Sequence, residues 1–376
     1  MDFETSEEQQ LLADSVKKYA QKSYDFESRK KVVNSKDGWS AEAWATFAEM
    51  GLLGLPVADE FGGFGGGAVD LMGVMEIIGE ALVVEPYVPT LLGARLVGRL
   101  GSAAQKKAIL PAVVEGKMRL ALAQTEAGAR YDLSCVGTKA AKAGDGWTLD
   151  GEKLVVLGAP AADKLLVSAR TPGGISLFLV DRNAGGVTLK AYRTLDETRA
   201  ADVVLKGVKL GADALVGAEG KALEAIEEAV DFASALLCAE GVGAMKFACD
   251  TTLEYLKTRK QFGVTIGTFQ ALQHRMVDMY VATEQARSMA CLACCKVDSP
   301  ADSRVRAHAI SAAKIKIADA ARQVSQESVQ LHGGMGMTEE LKISHTFRRL
   351  TTIAQRFGDV DHHLARYAAL DASHRQ

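Results

Sequence analysis

The run Thr258-Arg259-Lys260-Gln261-Phe262-Gly263 gathers a guanidinium, an ammonium, an amide and an aromatic ring, and Ile266, Phe269, Gln270 and Gln273 follow it closely. A guanidinium can clasp phosphate oxygens with two parallel N–H donors, and an aromatic flanked by amides can receive a ring system. A second run, Gln330-Leu331-His332-Gly333-Gly334-Met335-Gly336, offers backbone without Cβ atoms, which a ligand can approach closely. Each run alone has a plain reading: an arginine between helices is commonly a solvated cap, and Gly-Gly at a helix end is commonly a C-cap.

Two other groups carry less. Gly62, Gly63, Gly65, Gly66 and Gly67 crowd together, but they follow Pro56, Asp59 and Glu60 rather than a strand. Carboxylates there repel a pyrophosphate, so the segment reads as a flexible loop between helices and not as a phosphate cradle. Cys291, Cys294 and Cys295 cluster on a helical stretch without a second Cys or His pair at metal-ligand spacing. They read as small buried residues, and no metal is expected.

These runs need long helices to position them. Leu223, Ile226, Val230, Ala233 and Leu237 form one apolar stripe, and Phe269, Leu272, Met276 and Met279 another. The stripes predict a C-terminal bundle of the four-helix type, with the Arg259 run between two helices and the glycine run closing a helix that begins near Ser311. The N-terminal third is also helical. Ser6 and Gln9 make a capping box, Leu11, Leu12, Val16 and Tyr19 continue at helical spacing, and two further helices run through Trp44 to Met50 and Val69 to Leu82.

From Leu120 the pattern becomes extended. Asp145-Gly146 and Asp150-Gly151 sit where tight turns belong, and the short runs 164–168, 175–180, 187–192 and 203–205 are bounded by Gly, Pro, Asp or Asn. The expected fold is α+β, with a helical domain at 1–119, a small and mostly antiparallel β domain at 120–217, and a helical bundle at 218–376.

Composition narrows the function. A formal net charge of −3 over 376 residues leaves no excess for nucleic acid or an anionic membrane. Met1 to Gln10 lacks the basic and apolar parts of a secretory signal, and charges interrupt the apolar stretches before they reach membrane-spanning length. With scattered cysteines, this points to a reducing cytoplasmic location.

Taken together, the two C-terminal runs, the Phe3 to Gln10 opening, the Gly51 to Gly67 stretch, Gln124-Thr125-Glu126 and the Asp145 to Lys153 hairpin resemble the acyl-CoA dehydrogenase family over essentially the whole chain. The resemblance implies FAD as cofactor, an acyl-CoA thioester as substrate, α,β-desaturation as reaction, and an electron-transfer flavoprotein as acceptor. It places Arg259, Gln261, Phe262, Gln330, Gly333 and Gly334 against a neighbouring subunit's FAD. Thr125 is placed near the flavin ring of the chain's own site.

The same resemblance exposes losses. The reaction needs a base for the proton α to the thioester. The usual glutamate position is Phe357, in Arg356-Phe357-Gly358-Asp359, and the alternative position on the preceding long helix is Ala233. Glu240, two turns on from Ala233, is a weak substitute with a structural reading favoured, and Asp359 serves only if the register slips. A Trp-Ile-Thr run is replaced by Val155-Val156-Leu157, and Tyr131 stands where a small hydroxyl residue is usual. The chain is most similar to small subunits of two-component bacterial enzymes, of the pimeloyl-CoA or steroid side-chain type, and so is expected to serve a paralogous large subunit's FAD in an α2β2 heterotetramer. A self-sufficient homo-oligomer using Glu240 and a non-redox acyl-CoA-binding scaffold are the alternatives.

Overall fold

The computed structural model describes residues 6–299 and 302–372, so the first three residues of the Phe3 to Gln10 opening lie outside the described residues. Six helices come first: α1 (Glu7–Ser23), α2 (Phe26–Asn34), α3 (Ala41–Glu49), α4 (Ala68–Ala81), α5 (Tyr87–Leu100) and α6 (Ala103–Val114). Eight strands follow: β1 (Leu120–Ala123), β2 (Lys139–Ala143), β3 (Gly146–Leu157), β4 (Lys164–Thr171), β5 (Gly174–Asp181), β6 (Val187–Arg193), β7 (Arg199–Leu210) and β8 (Leu215–Val216). Helices then return as α7 (Leu223–Thr258), α8 (Gln270–Asp298), α9 (Ser303–His332), α10 (Lys342–Gln355) and α11 (Val360–Ala372). Between α7 and α8 lies a miniature hairpin, β9 (Lys260–Gln261) with β10 (Val264–Thr265). The order of helices, sheet and helices is the α+β arrangement expected.

The chain divides into two compact units, and both expected boundaries, near 119 and 217, fall inside the second. The first unit comprises Met1–Arg29, Ala68–Val83 and Ser234–Gln376. In it α4 and α7 pack backbone to backbone. A Cβ on Gly79 would lie 1.9 Å from the Glu240 carbonyl oxygen, and one on Gly243 would lie 1.7 Å from that of Glu76. Any side chain at either position forces the helices apart. Asp298, ending α8, accepts from the amides of Ala68 and Val69 at 2.8 Å each and so caps α4.

The second unit comprises Lys30–Gly67 and Val84–Ala233. Its sheet runs β6-β7-β3-β2-β4-β5-β8, with β1 added beside β4. Pairing is antiparallel except for β1 and a single β2 residue, which run parallel to β4. Leu149, Leu165, Val167, Val180 and Val203 fill its core, and Trp147 meets Phe178 edge-on at 5.2 Å.

Several expectations are corrected. Asp150-Gly151 is not a turn but a bulge inside β3, where Gly151 (φ 157°) passes so close to Thr138 that a Cβ would lie 2.5 Å from its hydroxyl. The hairpin turn before it is Gly144-Asp145, since Ala143 pairs with Gly146. Helix α9 starts at Ser303, not Ser311, capped by the Asp302 side chain on the Arg304 amide. The 62–67 loop is tied down, not slack: Phe64, Gly65 and Gly66 donate to the carbonyls of Gly54, Val57 and Leu55. Cys294 is buried as expected, but Cys291 and Cys295 are partly exposed. Against the sequence expectation, α7 contains an 18-residue window of mean hydropathy 1.4, long and apolar enough to span a bilayer; 89% of that window is buried in the protein, which makes it a core helix.

Candidate functional site

The Arg259 run projects from the first unit on the β9–β10 hairpin. Its two-residue turn is Phe262-Gly263, with φ of 56° and 80°. Two successive left-handed residues make the turn type that suits a right-twisted hairpin, but an aromatic there is strained and normally gives way to Asn, Asp or Gly. Phe262 is 90% exposed, touching Phe269 edge-on at 6.3 Å. A bulky apolar residue held in solvent at a conformational cost is the kind of strain that persists where a ligand uses it.

Arg259 itself is exposed, and its guanidinium has no hydrogen bond or ion pair among the described residues. Its backbone is fixed from both sides, by its amide on the Tyr255 carbonyl and by the Ile266 amide on its own carbonyl. Gln261 is exposed, with its amide nitrogen on the Lys260 carbonyl.

The glycine run lies beside this hairpin in space. His332 closes α9 and stacks on Tyr255, one turn before Arg259, with ring centroids 4.5 Å apart. Thr252 and Ser328 hydroxyls meet at 2.9 Å one turn deeper. The buried His332 ring is anchored through Nδ1 on the Ser328 carbonyl, and burial pushes its pKa below the usual value. Gln330, Gly333 and Gly334 are exposed, and a Cβ on either glycine would meet nothing within 4 Å. An unpaired guanidinium, exposed amides and open backbone therefore sit at one end of the bundle, and this donor set fits a pyrophosphate and its attached nucleoside.

The sheet side belongs to the second unit. Thr125, just beyond β1, is partly exposed, and its carbonyl accepts from the Leu154 amide at 2.8 Å. The segment is pinned by a group that sequence reasoning passed over. Lys153, with no exposed surface, donates to Glu126 Oε1 at 2.6 Å, to the Ser168 hydroxyl at 2.9 Å and to the Gln124 carbonyl at 3.4 Å. Burial brings its amine down to about 8 despite the Glu126 carboxylate. The signal was available: a lysine flanked by strand residues at an inward position needs a partner.

Val155 lies in a second bulge of β3 with φ 51°, an outlier for a β-branched residue, and is 50% exposed. Asp202 holds it there, accepting from the Val155 amide at 3.1 Å and the Tyr192 hydroxyl at 3.0 Å. Leu157 and Tyr131 are both partly exposed. No aromatic wall or hydroxyl stands at 155 or 157.

None of the positions weighed for the base offers a free carboxylate. Phe357 turns the chain out of α10 with φ 57°, and Ala233 is fully buried. Asp359 caps α11 through the His362 amide. Glu240 is 3% exposed and accepts from Arg349 Nη1 at 2.6 Å; Arg349 also donates to the Val83 carbonyl at 2.8 Å. Arg349 was missed, although an arginine in phase with the buried Ile343, Thr346 and Ile353 of α10 was a readable sign of a buried counter-charge.

Around Phe357, Lys314 donates to the carbonyls of Ile353 and Arg356 at 2.8 Å each. His363 is 1% exposed; burial, helped by Lys314, His362 and Arg366, pushes its pKa down to about 2. A depressed histidine contributes stability in full above its unfolded value and loses it as pH falls, because only the unfolded chain takes up the proton. Between pH 7 and pH 5 the loss is about 2 kcal/mol. Urea midpoints at the two pH values should show it, and a His363→Asn chain should lose less.

The family described as Acyl-CoA dehydrogenase, N-terminal domain, matches residues 6–117, its middle domain 121–208, and its C-terminal domain 220–367. The acyl-CoA dehydrogenase FadE12 of Mycobacterium tuberculosis is 31% identical over 369 residues, covering 94% of this chain and 93% of that protein. A chain of the Tcur3481-Tcur3483 steroid ACAD superposes with a TM-score of 0.90 at 31% identity, covering 98% of this chain and 99% of its own. A chain of the ChsE4-ChsE5 complex from Mycobacterium tuberculosis superposes with a TM-score of 0.91 at 26% identity, covering 99% of each.

Proposed function

The chain belongs to the acyl-CoA dehydrogenase family, whose cofactor is FAD, and on that premise we propose that it is the small, non-catalytic subunit of a heteromeric enzyme. The observation that carries the reading is an asymmetry. The nucleotide-facing end keeps a free Arg259 and open glycines, while both base positions and the flavin wall hold Phe357, Ala233, Val155 and Leu157.

Arg259 would clasp the pyrophosphate, Gln261 and Gln330 would hold polar edges through their amides, and Gly333 and Gly334 would admit the cofactor close to the backbone. Phe262 would cover an apolar face. FAD, when bound, supplies the hydride acceptor; the base and flavin wall come from a paralogous large subunit in an α2β2 assembly. Electrons pass on to an electron-transfer flavoprotein in the cytoplasm. The likeness to chains of the Tcur3481-Tcur3483 steroid ACAD and of the ChsE4-ChsE5 complex supports a two-component enzyme.

Glu240 is a poor candidate base, because its carboxylate is committed to Arg349. Purified alone, the chain is expected to be nearly colourless and inactive. Purified with its paralogue, it should carry about one FAD per heterodimer and oxidise acyl-CoA. A lone chain that is yellow and active would overturn the reading, and CoA esters bound without flavin under any pairing would favour a non-redox scaffold.

A further inference from the structure

Helix α8 carries Cys291 and Cys295 one turn apart, and both are partly exposed. Residues four apart on a helix lie side by side, with Cβ atoms about 5–6 Å apart. The two side chains meet, and a hydrogen bond joins the Cys291 thiol to that of Cys295. Cys294 faces inward instead, fully buried with its Sγ 3.9 Å from the Ala235 carbonyl oxygen of α7. Asp298, at the end of the helix, is committed to the amides that open α4. Among the described residues no third His, Cys, Asp or Glu ligand atom completes a group of three here. The surface of α8 therefore presents two sulfur donors, side by side on an unbroken helix.

Spacing decides what such a pair can do. A disulfide needs Cβ atoms about 3.8 Å apart, closer than a regular helical turn allows, so oxidation to cystine would have to break α8. One ion shared by two thiolates needs the sulfurs roughly 4.6 Å apart, twice a metal–thiolate bond of about 2.3 Å. Side chains on successive turns span that distance without moving the backbone. Two ligands leave zinc or an iron–sulfur cluster two short, whereas a soft monovalent ion is content with two thiolates. We propose that Cys291 and Cys295 form a two-coordinate binding site for monovalent copper. Each thiol gives its proton to water as its sulfur bonds the ion, and the copper keeps its oxidation state. Burial first, and Cys295 beside it second, push the Cys291 thiol up to about 11. A cation between the sulfurs turns that second effect from repulsion to attraction. None of these residues belongs to the Arg259 or Gly333 runs, so the inference stands apart from the flavin reading.

The experiment uses the assembled complex, reduced and kept free of oxygen, and offers monovalent copper as its coloured bicinchoninate chelate. Loss of colour reports the ions that the protein takes, and a weakly buffered solution at pH 7 should register about two protons released for each. C291S and C295S complexes should each take about one ion per subunit fewer than the parent. Losing one of two ligands should cost at least the roughly 100-fold in affinity that losing an outer partner of a ligand can cost. The melting curves of both variants should match the parent's, because neither side chain fills the core. C135S removes the exposed thiol between β1 and β2 and should take as much copper as the parent. X-ray absorption at the copper edge should show two sulfur neighbours. A parent complex that leaves the chelate coloured, a C291S or C295S complex that binds like the parent, or three or more sulfurs around the ion would overturn the proposal.

Discussion

Replacing Arg349 with alanine is expected to lower the unfolding free energy by about 3–5 kcal/mol, the range for removing one partner of a buried ion pair. Both partners are almost fully enclosed, at 2% and 3% exposure, so water cannot take the place of the lost guanidinium. The Val83 carbonyl loses a donor too, whereas the Leu82 carbonyl keeps Arg29 at 2.7 Å. Urea unfolding at pH 7 measures the effect, and a loss under 1 kcal/mol would mean the cavity admits water. The companion variant Glu240→Gln separates structure from chemistry. The assembled complex should keep its turnover with flavin bound; lost turnover at full flavin occupancy would instead make Glu240 the base.

Arg259→Ala is expected to leave the complex folded and to weaken flavin binding about 10- to 150-fold, which corresponds to roughly 1.5–3 kcal/mol for one charge-assisted hydrogen-bonding group. The substitution removes no hydrogen bond or ion pair among the described residues, because the guanidinium is exposed and has no such partner there. Any fall in flavin affinity is therefore a direct reading of the cofactor contact. Flavin absorbance against dilution or competing apoprotein gives the number, and unchanged occupancy would remove Arg259 from the site.

The sequence revealed what is local. The Ser6 and Gln9 capping box forms as read, and so do the helices flanking Arg259 and the turn at Gly333. Asp150-Gly151 misled because a turn dipeptide and a bulge ask the backbone for the same freedom, and only the partner strand decides between them. The start of α9 was misplaced because Asp302 caps it ahead of the first strongly apolar positions. Partners distant in the chain stayed hidden: nothing near Glu240 announces Arg349, and nothing near Lys342 announces Phe247. In the candidate site, the types and order of Arg259, Gln330 and the glycines were readable, but the Tyr255–His332 stack that joins the two runs was not.

The bulge at Val155 has a historical meaning. Its left-handed backbone is fixed by Asp202, which accepts from the main-chain amide of Val155 and from the Tyr192 hydroxyl, bonds that do not depend on which side chain occupies the position. On the small-subunit reading proposed above, an aromatic exchanged for Val155 removes a side chain without erasing the shape that carries it. A duplicated subunit can therefore drift out of catalysis by exchanging a few side chains, and drift back by the same few steps, while its scaffold stays ready in either state.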